Sequence, residues 1–374
     1  PHVYDLTSAV TPGKPCRLTI RVDNRIKEIN VGPDSHSITD QTQGNWNGIV
    51  GKIELQTTPK VYFDDIQVYP DLSHGKALVR MNVKSSSSAK GEITLSAESF
   101  NTDTRHNVPP VQQTFRIQAG DNRVEMELPM GKDFLTWDEF NPALYKLTAT
   151  LNSGKQSEKK QVQFGMRDFK IEGKWFYVNG RKTMLRGTVE NCDFPLTGYA
   201  PMDVASWERV FRICRNYGLN HMRFHSFCPP EAAFEAGDEV GMYLQAELPM
   251  WIKDVGKYPD RRDFFEKEMY AILDAYGNHP SFILMCNGNE NEGDFAVLED
   301  LVKKAQKYDN RRLYSASTAR THTPSDQYYV SHVTSKGWIT VYEGKPSTDW
   351  DRCKESDIDV PVIAHETGQR CMYP

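Results

Sequence analysis

At Phe164-Gly-Met-Arg167 the hydrophobic pattern of this chain changes its period. Before it, short segments alternate apolar and polar residues: Arg17-Leu-Thr-Ile-Arg-Val22, Ile49-Val-Gly-Lys-Ile-Glu-Leu55, Ala77-Leu-Val-Arg-Met-Asn-Val83, Gly91-Glu-Ile-Thr-Leu-Ser-Ala97, Arg123-Val-Glu-Met-Glu-Leu128 and Leu144-Tyr-Lys-Leu-Thr-Ala-Thr-Leu151. A period of two gives each strand one dry and one wet face, which is what stacked antiparallel sheets require. Breakers such as Thr11-Pro-Gly13 and Asn107-Val-Pro-Pro110 separate the segments, and the pattern restarts near Thr58-Pro-Lys60.

Beyond the change, apolar runs alternate with helical stretches, so parallel strands joined by crossover helices are expected. Thr183-Met-Leu-Arg-Gly187 reads as strand one. Helices are expected over Met202 to Tyr217, Pro230 to Val240, Arg262 to Tyr276 and Phe295 to Tyr308. Between and after them lie Leu219 to His225, Met242 to Glu247, Phe282 to Asn287, Leu313 to Ser317, Tyr328 to His332 and Pro361 to Glu366. Seven strands in one unit point to a closed (β/α)8 TIM barrel rather than an open sheet. No eighth strand follows, so the chain is expected to be a fragment of a longer protein.

Composition narrows the partners. The net charge is -5, with acids and bases interspersed. No basic footprint for nucleic acid or an anionic membrane is present. No stretch approaches the ~20 apolar residues that span a bilayer. The seven cysteines are scattered without a Cys-x-x-Cys pair, which argues against a zinc site or a disulfide framework.

Barrel sites form where strands run out at their C-terminal ends. Glu290 follows strand four and Glu366 ends strand seven, and these strands face each other across the mouth. Two such carboxylates are the tools of glycoside hydrolysis: about 5 to 5.5 Å apart they retain anomeric configuration, and beyond about 6.5 Å they invert it. Glu292 shares strand parity with Glu290, but Asn289 immediately before Glu290 supplies an amide for a sugar hydroxyl beside the scissile bond.

Asn45-Trp-Asn-Gly-Ile-Val-Gly51, Thr136-Trp-Asp-Glu-Phe-Asn-Pro-Ala-Leu-Tyr145, Phe164-Gly-Met-Arg167, Phe176-Tyr-Val-Asn-Gly180, Met184-Leu-Arg-Gly187, Gly288-Asn-Glu290 and Pro361-Val-Ile-Ala-His-Glu366 stand in an order and spacing that resembles glycoside hydrolase family 2. That family contains β-galactosidases, β-glucuronidases and β-mannosidases. The resemblance implies the C-terminal part of a sugar-binding jelly-roll β-sandwich over 1–59, an immunoglobulin-like β-sandwich over 60–165, and a catalytic TIM barrel over 166–374, truncated after strand seven. It also implies a retaining exo-β-glycosidase working by double displacement, β-galactosidase-like before β-glucuronidase- or β-mannosidase-like. Glu366 is then the nucleophile and Glu290 the acid/base.

Asn289, Arg186, His225 and Glu247 are the expected substrate-binding residues, with Arg186 either the cation that keeps Glu366 ionised or a structural strand-end ion pair. Glu190 is a further candidate for a sugar hydroxyl or a cation, and Trp46, Trp251 and Trp338 for stacking on a pyranose face. No metal ligand set is assigned, and a divalent or monovalent cation stays open, as does a homo-oligomer. The expected partner is carbohydrate, with no nucleic acid and no membrane. Polysaccharide breakdown would place the protein in the periplasm or outside the cell, and the cytoplasm stays open. The rival of another class is a non-catalytic carbohydrate-binding protein. The Asn-Lys-Gly triplet with which family β-glucuronidases hold the uronate is absent, and Ser331-His332 stands where the family usually has Asn-x-Tyr.

Overall fold

The computed structural model describes residues 2–23, 31, 35, 48–49, 51–319, 322–331, 333–334, 337–338 and 358–365. Glu366, Trp46, His332, Cys353 and Cys371 lie outside the described residues, as does the side chain of Trp338. The alternating segment Arg17 to Val22 and the described residues of the segment Ile49 to Leu55 form no strand. A strand needs a partner backbone, and here Leu18, Ile20, Ile53 and Leu55 are exposed. No jelly-roll sheet is therefore present among the described residues of 1–59.

From Val61 the alternation does become a sandwich. Strands β1 (Val61–Asp71), β2 (Lys76–Ser85) and β5 (Gly120–Pro129) form one antiparallel sheet. The other has the order β4 (Asn107–Ile117), β3 (Ala89–Phe100), β6 (Leu144–Ser153), β7 (Gln156–Phe164). Val79, Met81 and Val83 of one sheet and Ile93, Leu95, Leu147 and Ala149 of the other close a single core. Asn107-Val-Pro-Pro110, expected to be a breaker, lies within β4. That strand is an edge, and the two prolines lie at the register shift between the Leu95–Val111 and Ala97–Val108 pairs, where the ladder is interrupted.

A three-stranded antiparallel unit follows, β8 (Phe169–Glu172), β9 (Trp175–Val178) and β10 (Arg181–Thr183). Parallel strands then alternate with helices: β11 (Gly187–Glu190), α1 (Val204–Asn216), β12 (His221–Phe224), α2 (Glu231–Val240), β13 (Tyr243–Glu247), α3 (Pro259–Tyr276), β14 (Phe282–Cys286), α4 (Phe295–Tyr308) and β15 (Leu313–Ser315). β16 (Tyr329–Ser331) pairs in parallel with β19 (Val362–Ala364), and a bridge from Thr318 to Val330 joins them to the other five. β17 (Val333–Thr334) and β18 (Gly337–Trp338) make a small hairpin between.

Local chemistry sets the helix ends. The Asp203 and Asp294 carboxylates accept from Ser206 N and Ala296 N at the starts of α1 and α4. Gly241, in the left-handed region at φ 78°, ends α2. Helix faces bury Trp207, Phe211, Phe234, Met269 and Leu301 against the outer side of the strands. No helix among the described residues is long and apolar enough to cross a membrane.

One end of the barrel is sealed. Phe169, Phe176 and Val178 pack with Tyr243, Ile283, Leu313 and Tyr328 and with the sandwich residues Trp137 and Leu144. Trp137 Nε1 donates to Asp238 O at the last turn of α2. The sandwich thus covers the N-terminal ends of the strands, and their C-terminal ends stay free for chemistry.

Candidate active site

Strand register decides which side chains meet inside a barrel. Arg223 pairs with Val189 on one side and Gln245 on the other, and Glu247 pairs with Cys286. Arg223 and Glu247 therefore share the inner layer near the C-terminal ends. Arg223 Nε donates to Glu247 Oε1 across 2.7 Å, and Nη2 reaches Oε2 at 3.3 Å. Glu247 also accepts from Ser226 N at 2.8 Å and Gln245 Nε2 at 3.1 Å. A buried ion pair offsets its desolvation only when its remaining hydrogen bonds are made, and Glu247 makes them.

Arg223 Nη2 also donates to Asn289 Oδ1 at 2.8 Å and Thr318 Oγ1 at 2.8 Å. The Thr318 hydroxyl in turn donates to Asn289 Oδ1 at 2.6 Å, and His365 Nε2 lies 3.3 Å from the same oxygen. Guanidinium has no acceptor to offer, so the amide can take only one orientation. Its oxygen faces Arg223 and its nitrogen faces away. Asn289 Nδ2 is buried and has no partner among the described residues, leaving a fixed donor at the barrel mouth.

The backbone here depends on a glycine. Gly288 sits at φ +133°, and a Cβ would meet Met250 O at 2.0 Å. With none, Asn289 N can donate to Met250 O at 2.9 Å. Glu290 follows in the left-handed region at φ 45° and donates from its backbone nitrogen to Thr318 O at 2.7 Å. Glu292 is anchored on the other side, to Ile252 O and Val255 N. The main chain thus ties Glu290 to the Arg223–Thr318 network and Glu292 to the loop after β13.

Several expected ligands sit elsewhere. Glu247 has no exposed surface and both its oxygens are engaged, so it holds Arg223 rather than a sugar. Arg186 precedes β11, because strand one starts at Gly187 and not at Thr183. It lies at the sealed end, where Nη2 pairs with Glu139 Oε2 at 3.0 Å and Nε donates to Gly218 O at 2.7 Å. It is a strand-end ion pair to the sandwich, not the cation beside a nucleophile.

Glu190 pairs in register with Phe224, so it points to the outer, helix-facing side. Cys192 N and Asp193 N donate to its carboxylate, and burial pushes its pKa up to about 7. His225 is buried at the mouth, its backbone nitrogen bonded to Glu190 O and its ring edge-on to Trp251 at 5.1 Å. Trp251 is half-buried beside Met250. No group of three or more His, Cys, Asp or Glu among the described residues gathers to hold a metal.

Sequence reading passed over Arg223, Thr318 and His365. Only Arg223 carried a signal: a charge inside a strand buried on both faces is expensive unless it is used.

Two family profiles cover most of the chain. Glycosyl hydrolases family 2 matches residues 61–167, and the TIM barrel domain of glycosyl hydrolases family 2 matches residues 169–369. The chain belongs to glycosyl hydrolase family 2. Among similar proteins, a putative β-glucuronidase of Formosa agariphila is 26% identical over 292 residues, 76% of this chain and 34% of that protein. A β-galactosidase of Thermoanaerobacterium thermosulfurigenes is 30% identical over 183 residues, 48% of this chain and 25% of that protein. The chain thus spans a quarter to a third of these relatives' lengths. The fold matches a β-glucuronidase structure from Parabacteroides merdae with a TM-score of 0.61 at 21% identity, covering 75% of this chain and 36% of that one. It also matches a family 2 member from Bacteroides cellulosilyticus at 0.63 and 19% identity, covering 74% and 38%. The family 2 barrel is therefore the scaffold on which the Arg223–Asn289 network stands.

Proposed function

We propose that the protein is a retaining exo-β-glycosidase that removes terminal β-linked sugars by double displacement. The reading is carried by Asn289, whose amide donor is fixed at the barrel mouth immediately before Glu290. Glu290 protonates the leaving oxygen while Glu366 attacks the anomeric carbon, and a glycosyl ester forms on Glu366. Glu290 then takes a proton from water, which releases the sugar with its configuration retained. Asn289 Nδ2 donates to the hydroxyl next to the anomeric carbon, a bond that strengthens as charge develops there. His365 supports this pairing, because the residue before Glu366 reaches the Asn289 side chain.

β-Galactosidase-like specificity is the first choice, with a terminal β-galactoside as substrate and carbohydrate as the partner. β-Glucuronidase-like specificity is the second, favoured by the β-glucuronidases among similar proteins and structural neighbours. A panel of chromogenic β-galactoside, glucuronide, mannoside, glucoside and glucosaminide decides between them. Cleavage of one glycoside well above the rest supports the reading. Saturable sugar binding without cleavage of any would instead favour a carbohydrate-binding protein.

A further inference from the structure

Thr318 is fully buried just beyond β15 and bonds to three consecutive residues of the strand-four end. Its nitrogen donates to Gly288 O at 2.9 Å, its hydroxyl donates to Asn289 Oδ1 at 2.6 Å, and its carbonyl accepts from Glu290 N at 2.7 Å. Its hydroxyl is also polarised from behind, because Arg223 Nη2 donates to it at 2.8 Å. A hydroxyl has one proton to give. Gly288 O, the other acceptor within reach, lies at 3.3 Å, so the shorter path to Asn289 takes it.

We infer that Thr318 is a positioning residue of the active site: it aims the Asn289 amide and holds the backbone from which Glu290 projects. The inference rests on the proposed roles of Asn289 and Glu290. Two independent bonds converge in it. The side-chain bond joins Arg223 in holding the Asn289 amide oxygen, and the backbone bond clamps Glu290 in a left-handed conformation that side chains rarely adopt. Neither needs the substrate, so the site is pre-organised before a sugar arrives.

The test compares the full-length wild type with Thr318→Val and Thr318→Ser on an aryl β-glycoside and on its 2-deoxy counterpart. Valine keeps the shape and loses the donor, whereas serine keeps the donor. Thr318→Val is expected to lower kcat/KM on the hydroxylated substrate about tenfold, the worth of one hydrogen bond, mainly through kcat. It should lower it far less on the 2-deoxy substrate, so the preference between the two narrows. Thr318→Ser should restore that preference. The ratio is taken within one preparation, so a partly unfolded variant does not mimic the effect. An unchanged preference in Thr318→Val would overturn the inference and make Thr318 an ordinary packing residue. A wild type that cleaves no glycoside would contradict the underlying reading, and with it the inference, which is a distinct result.

Discussion

Arg223 and Glu247 meet through a 2.7 Å bond between Nε and Oε1, with side chains only 7% and 0% exposed. Removing either partner leaves the other charged and buried. Glu247→Ala should therefore cost about 3–5 kcal/mol of folding stability. In denaturant titration the midpoint should fall with the slope unchanged. A loss below about 1 kcal/mol, the range of an exposed pair, would show that the pair is not sealed from water.

Arg186 gives the opposite expectation. Its side chain is 47% exposed and its partner Glu139 keeps a second bond, from Asn220 Nδ2 at 3.0 Å. Arg186→Ala should cost about 1 kcal/mol or less. Steady-state kinetics should give an unchanged kcat/KM, because Arg186 stands at the sealed end of the barrel. A large drop in turnover with the folded fraction intact would return Arg186 to the site.

Glu190 supplies a pH signature. Burial raises its pKa from an ordinary 4.5 to about 7, against the two backbone donors that favour the charged form. Between these values the folded state keeps a proton that the unfolded state has lost. The stabilisation is full below the lower value and is lost as pH rises through the upper one. Glu190→Gln should unfold at a higher temperature than wild type at about pH 8 and at nearly the same temperature at about pH 4. An equal gain at both values would mean that Glu190 is not protonated in the fold.

The sequence made the architecture legible wherever local pattern and tertiary burial agree. Phe295–Tyr308 and its neighbouring helices lie where their apolar spacing puts them, as do the central barrel strands. Strand one slipped because β10 ends at Thr183 and β11 begins at Gly187. Two strands of different sheets, three residues apart, read as one apolar run, and the slip carried Arg186 to the wrong end of the barrel. Glu190 and Glu247 were legible as strand-end acids but not as engaged ones. The partners of Arg223 lie 24, 66 and 95 residues away along the chain, at or just beyond the ends of three other strands. Register brings them together, and register is not a local property.

The central claim is that Glu366 forms the glycosyl ester. The direct measurement is peptide mass mapping of the full-length enzyme after incubation with an activated 2-deoxy-2-fluoro-β-glycoside of the preferred sugar, which slows breakdown of the ester more than its formation. The account predicts one added fluorosugar on the tryptic peptide Glu355–Arg370, carried by Glu366. A label on Glu290 or Glu292, or no label together with an inverted first-formed product, would contradict it.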